Sequence, residues 1–303
     1  MSAPLRGTQS LVGQMGWVFA RPSLTAIEVA WRWLFGVPFV IVALLEAIKI
    51  LGELRPGSAG LSNFDAQNPW VAAAQLSNAW ALYQPRVTAV VRWLLPLAAL
   101  AWVVVSGLGR SLVLKRLEPT LRFRPLSMIA LQAAWLALFA VTCGAWFHCI
   151  AWVASTHITP NAEPDLVGYS IWVIFLSLGF FTVWALISWA LSIAPLVMLL
   201  EERSALSALS QSLRLGKAMT GKLVEINMVM GIVNLALIVL AMVLSAAPLP
   251  FSDQLGTNAL HVVWAAATIF YFVASDYFQV VRLKGFHEFW KMYRGGSVYE
   301  PVV

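Results

Sequence analysis

The chain has 303 residues, of which 60% are hydrophobic and only 11% charged, with a mean hydropathy of +0.78. A water-soluble domain carries about 25% charged residues, so this composition excludes a soluble globule of such size. The formal net charge is +6, from 20 Lys+Arg against 14 Asp+Glu. The basic residues cluster beside apolar stretches, so the partner they point to is a lipid surface with anionic headgroups, and not nucleic acid.

The opening MSAPLRGTQSLVGQMGW does not read as a signal peptide. Arg6 is followed by polar and glycine residues instead of an apolar core with a small-residue cleavage site, so the first apolar span is expected to stay in the mature protein. Two short amphipathic segments follow. One covers 11–19. The other starts after Arg21-Pro22 and runs to Trp33, with Pro22 in a favoured first-turn position. Leu24, Ile27 and Trp31 form its apolar row, which leaves Arg21, Glu28 and Arg32 to face water or headgroups. Residues 1–32 therefore read as a segment lying on the membrane surface.

Six apolar stretches come next, at about 33–51, 87–108, 126–154, 167–200, 223–246 and 258–281. Each is close to or above the roughly 20 residues that an α-helix needs to cross the hydrocarbon core. A helix closes its backbone hydrogen bonds within itself and so can stand in lipid. A β-barrel would instead show alternating runs of about ten residues, and none is present. Pro38 and Pro96 fall inside spans and are expected to bend them. The longest connection, 52–86, contains a segment at 69–82 that reads as a separate short helix on the membrane surface, with Trp70, Leu76 and Trp80 as anchors. The tail RLKGFHEFWKMYR places Phe286, Phe289, Trp290 and Tyr293 on one side, another interfacial helix. The expected fold is all-α: a polytopic bundle of six spans with additional interfacial amphipathic helices. Its organisation is a surface segment 1–32, a membrane domain 33–283 and a tail 284–303.

Loop charge orients the bundle. The segment before span 1, the connections between spans 2 and 3 and between spans 4 and 5, and the tail hold sixteen of the 20 basic residues. The opposite loops carry Glu53, Asp65, Glu163, Asp165 and Asp253. The positive-inside rule then places both termini in the cytoplasm. Lys49, Arg55, Arg86 and Arg92 fall on the outer side, where long basic side chains snorkel to headgroups.

Residues 194–226, APLVMLLEERSALSALSQSLRLGKAMTGKLVEI, end one span with a proline and an acidic residue. They continue through alternating small and leucine residues to two basic positions before the next span. Pro195, Glu201, Ala208, Ser212, Arg214, Leu215 and Lys217 fill this pattern. It resembles bacterial six-span proteins of the glycerophosphodiester phosphodiesterase membrane-domain type and related uncharacterised families. The resemblance covers about a tenth of the chain closely, and its degenerate motif implies a helical membrane domain without chemistry. In the enzyme members a separate soluble barrel domain is catalytic, and none is expected within these 303 residues beside six spans. The resemblance also implies a bacterial cytoplasmic (inner) membrane.

Charged groups inside spans are costly in lipid and mark functional candidates. Glu46 and Lys49 share a face near the outer end of span 1, and Arg92 of span 2 is placed to pair with Glu46. Such a pair reads first as a structural depth marker and second as part of an ion route. Glu225 and Asp276 have similar inner depths; each has basic neighbours to pair with, or together they form a cation or proton site. Glu225 is within reach of Lys222 or Arg214, and Asp276 is close to Arg282. Asn234, deeper in span 5, calls for a hydrogen-bond partner. Arg214, Lys217 and Lys222 of the span 4–5 linker are candidates for lipid headgroups, with Leu206, Leu209, Leu213 and Met219 lying on the membrane.

No motif supplies a nucleophile, a metal set or a cofactor. His148 and His261 are isolated, and neither has the spacing of a metal site. Cys143 and Cys149, six residues apart in one span, are about 9 Å apart along the axis, too far for a bond within the helix; they read as buried small hydrophobes. Gly107, Gly109, Gly144, Gly179 and Gly231 read as close-packing positions between helices. The function expected is therefore scaffolding or modulation of a membrane-protein partner, a homo-oligomer or local lipid. The alternatives are a small-solute or ion transporter and a lipid-acting membrane enzyme.

Overall fold

The computed structural model describes residues 7–53, 69–158, 165–213, 217–246 and 257–296. Every regular element among them is an α-helix: α1 (Gly7–Phe19), α2 (Pro22–Glu53), α3 (Pro69–Leu117), α4 (Pro125–His157), α5 (Leu166–Leu200), α6 (Ala205–Leu213), α7 (Lys217–Ala246) and α8 (Thr257–Gly296). Six of these, α2, α3, α4, α5, α7 and α8, contain stretches long and apolar enough to cross a membrane. The expected all-α fold with six spans is the observed one.

Boundaries differ from the sequence reading in one consistent way: neighbouring segments fuse. The second amphipathic segment and span 1 form the single helix α2. Residues 69–82, expected as a separate surface helix, continue through Pro85 and Pro96 into span 2 as the 49-residue α3. At 1.5 Å per residue α3 is about 74 Å long, more than twice the hydrocarbon thickness. A proline removes one N–H and one helical bond, too little to interrupt a helix with strong apolar flanks. The tail helix is likewise the end of α8.

Helix ends follow local chemistry. Pro125 occupies the first turn of α4. Asp165 caps α5, its carboxylate accepting from the Gly168 amide at 2.9 Å. At the other end of α5, Glu201 is the cap and Glu202 takes φ 52°. That left-handed turn, usually given to glycine, stops the helix and starts the α6 approach.

The chain divides into two units, Ala30–Ser106 and Met1–Val29 with Gly107–Val303. In the first, the end of α2 and the first half of α3 carry the exposed ion pair Glu53–Arg86 at 3.3 Å. In the second, α4 packs on α5, α7 on α8, α6 on α5 and α4, and α1 across α8. Its hydrophobic core is concentrated at the end where the basic connections lie, hereafter the basic end. Leu11 and Val18 of α1, Leu114 and Leu117 of α3, and Met128 of α4 meet there. Ile193, Leu196 and Met198 of α5, Leu223 of α7, and Val280, Phe286 and Trp290 of α8 complete it. Away from that end the spans expose long apolar rows, such as Phe175, Leu178 and Phe181 on α5 and Ile232, Leu235 and Val239 on α7. In a bilayer such surface meets lipid, which is as apolar as the side chains.

Close approach needs glycine at fewer positions than the sequence suggested. Gly107 fits that reading, since an added methyl would lie 2.6 Å from Ile129 Cγ1 and 2.8 Å from its Cα. Gly144, Gly179 and Gly231 do not, for nothing lies within 4 Å of a Cβ built on them. They face open surface, where a small residue serves no protein neighbour.

Candidate functional site

The basic end gathers most of the buried polar groups, and its geometry begins with α2. Glu28, expected to face water, is fully buried, and its Oε1 lies 3.5 Å from Nη1 of Arg110 in α3. The expectation failed because it considered α2 alone. Leu24 and Glu28 are one helical turn apart and are both buried, so the protein-facing side of α2 includes the carboxylate, and Arg110 supplies the charge that makes its burial tolerable.

Three further segments meet where α8 ends. The turn after α3 presents Glu118, whose Oε1 accepts from Thr120 Oγ1 at 2.8 Å and whose Oε2 accepts from Lys291 Nζ at 2.6 Å. The Lys291 bond, followed by that from Thr120, holds the Glu118 carboxyl below the ordinary carboxylate range. Lys115 closes the same turn by donating to the carbonyls of Pro119 and Leu121, both at 2.7 Å. Two helical turns back along α8, Lys284 donates to Glu288 and lies 4.2 Å from the Trp17 ring centroid. Arg21 covers Trp17 at 3.8 Å. Between the two lysine–glutamate pairs sits His287, with a side chain 1% exposed. Its Nε2 is 3.4 Å from Glu118 Oε2 and its Nδ1 3.9 Å from Glu288 Oε1. Neither ring nitrogen completes a hydrogen bond. Tyr277 Oη donates to the Met15 carbonyl at 2.8 Å, fixing α1 on α8.

Phe286 and Trp290, expected to lie on lipid, are buried in this core. The aromatic face of the tail was legible in the sequence. That it would meet α1 and α5 in place of headgroups was not.

The connections before α4 and after α5 are also tied together. Arg122 and Arg124 approach Glu202 Oε2 at 3.1 and 3.7 Å, and Arg124 donates to the Glu202 carbonyl at 3.2 Å. Arg203 donates to Glu201 at 2.8 Å. Several of the loop cations that orient the sequence thus also make bonds within the protein. On α6, Leu206 and Leu213 are exposed as expected for a membrane-facing row, but Leu209, expected in the same row, packs against the core beside the buried Ala208 and Ser212.

The predicted site residues divide. Glu46 and Lys49 form the expected i,i+3 pair at 2.6 Å, whereas Arg92 is exposed on α3 and makes no ion pair with Glu46 among the described residues. Glu225 is half-buried on α7 and Asp276 is buried on α8. Asn234, read as a deep group, lies on the exposed surface of α7. Arg214 falls outside the described residues. Lys217 and Lys222 are placed on α7 by their backbone. Among the described residues no three His, Cys, Asp or Glu side chains converge as a metal set.

A second feature lies along α4 and α5. Trp146 Nε1 donates to Ser177 Oγ at 3.1 Å, and Trp184 meets Trp135 edge-on at 5.2 Å and Phe139 at 5.0 Å. An apolar groove runs beside them, lined by Thr142, Cys143, Phe180 and Phe181 among others. Cys143 and Cys149 are half-buried free thiols, less enclosed than expected.

These features define a multi-pass helical membrane protein, one of whose two units contains a buried polar and aromatic hub. No family model matches the chain, and neither the curated proteins nor the solved structures yield a match.

Proposed function

We propose that this protein is a non-catalytic scaffold of a bacterial cytoplasmic membrane, both termini cytoplasmic, whose helical hairpins engage lipid or a membrane-protein partner. One observation carries the reading. The α4–α5 and α7–α8 hairpins share their buried core at the basic end, while their remaining length presents aromatic and aliphatic side chains outward. Such faces associate in a bilayer by packing and occasional interhelical hydrogen bonds. The basic end supports the assigned orientation, and Arg116 and Arg122 are exposed there, where anionic headgroups would be attracted. The relation to the glycerophosphodiester phosphodiesterase membrane-domain type belongs to the same proposal. It rests on the pattern from Pro195 to Lys217, of which Pro195 lies within α5 and Glu201 caps it.

Gentle extraction followed by mass spectrometry of the intact assembly tests the scaffold. A co-purifying membrane protein, a second copy or retained anionic lipid is the expected result. A chain that emerges alone and free of lipid overturns it.

A further inference from the structure

The hub at the end of α8 contains a group that its ion pairs do not use. Glu118 and Glu288 are each bonded to one lysine, Lys291 and Lys284. Two negative and two positive charges already balance. His287 lies between these pairs, almost completely enclosed, with both ring nitrogens near carboxylates and neither completing a hydrogen bond. The charged groups acting on the ring are Glu118 from the turn after α3 and Lys284, Glu288 and Lys291 from α8. Helix α1 brings the neutral Trp17 to Lys284 and packs Gln14 against Gly285. A proton on His287 therefore adds a charge that the cluster does not match, in a place that water does not reach. Burying an unmatched charge is among the costliest changes a core can undergo. Protons have a route in, because Lys291 and Glu288 are partly exposed.

We propose that His287 is the trigger of a proton-operated latch: protonation of its ring loosens α8 from the turn after α3 and from α1. The latch is closed with the ring neutral, when Lys291–Glu118 and Lys284–Trp17 join three segments distant in sequence. It opens on acidification, while both carboxylates are still ionised and the ring carries the extra charge. The site takes a proton, and its output is the freedom of the α8 end. Histidine is the side chain suited to this because its ordinary titration falls near neutral pH.

The test uses the full chain in lipid nanodiscs and follows amide hydrogen exchange in 115–121 and 283–291, corrected for the intrinsic pH dependence, from about pH 8 to pH 5.5. Protection in both segments is expected to fall about tenfold across this range in the wild type. His287→Gln is expected to abolish the transition. Lys291→Met, at a partly exposed position, removes a closing contact, so protection is expected to be lower at every pH; it also leaves a carboxylate for the ring's new charge, so the fall on acidification is expected to shrink to about threefold or less. Glu118→Gln removes the same contact but takes a negative charge from the ring, so its fall on acidification is expected to stay at least as large as in the wild type. Should His287→Gln fail to fold, this difference between the other two variants decides the matter. Wild-type protection that stays constant, a transition that persists in His287→Gln, or equal falls in Lys291→Met and Glu118→Gln each overturn the latch.

Discussion

Gly107 of α3 sits against the backbone of Ile129 in α4, so close that a methyl group on it would lie 2.8 Å from the Ile129 Cα. The obstacle is main chain, which cannot rotate away. Gly107→Ala is therefore expected to force α3 from α4 and destabilise the protein by about 1–3 kcal/mol, the usual range for overpacking. Gly144→Ala, at a position with open space, provides the control and is expected to change little. Thermal unfolding of both variants in detergent checks the difference, and equal effects would count against close packing at Gly107.

The Glu28–Arg110 contact yields a prediction that distinguishes pairing from simple burial. Glu28→Met or Arg110→Met alone leaves its partner's charge in the core, at an expected cost of about 3 kcal/mol. Glu28→Met together with Arg110→Met removes both charges and is expected to recover much of that loss. A double-mutant cycle on unfolding free energies measures the coupling, and purely additive losses would refute the pairing.

The cap of α5 carries its own acid dependence. The Gly168 amide bond is the chief influence on Asp165 and the His157 contact the second; together they hold its carboxyl below the ordinary value of 3.8. A carboxyl lowered by folding stabilises above its unfolded pKa, and the contribution is lost as pH falls through the folded one. The first turn of α5 is thus expected to remain protected at pH near 5 and to loosen only below about pH 3.8. Asp165→Asn retains a capping oxygen and is expected to lose this acid dependence. Exchange rates of the amides at 166–169 provide the readout.

Topology reporters test the proposed orientation. A reporter at Ser297 is expected to be cytoplasmic and one in the α4–α5 connection periplasmic. The reverse pattern would invert the assignment and would move the exposed cations of the basic end away from the cytoplasmic leaflet.

The helices were legible in the sequence because their cause is local. Runs of about 20 apolar residues must close their own hydrogen bonds in lipid, whatever their neighbours do. The i,i+3 pairing of Glu46 with Lys49 was legible for the same reason, since helix geometry alone brings the two together. Fusion of 69–82 with span 2 was harder to read, because Pro85 looks like a boundary and the apolar flanks outweigh the single bond it removes.

The sequence by itself determined an all-α membrane protein, six apolar spans and a division between basic and acidic connections. The tertiary structure decided which polar residues leave water. Glu28 appeared to face outward until Arg110, 82 positions later, covered it. No sequence pattern marks His287, an isolated histidine, and the Lys284–Glu288 spacing is that of an ordinary helix pair. Glu118 and Lys291 are 173 residues apart. Their meeting around His287 depends on the packing of α1, the turn after α3 and the end of α8, and no periodicity within one helix encodes such a long-range contact.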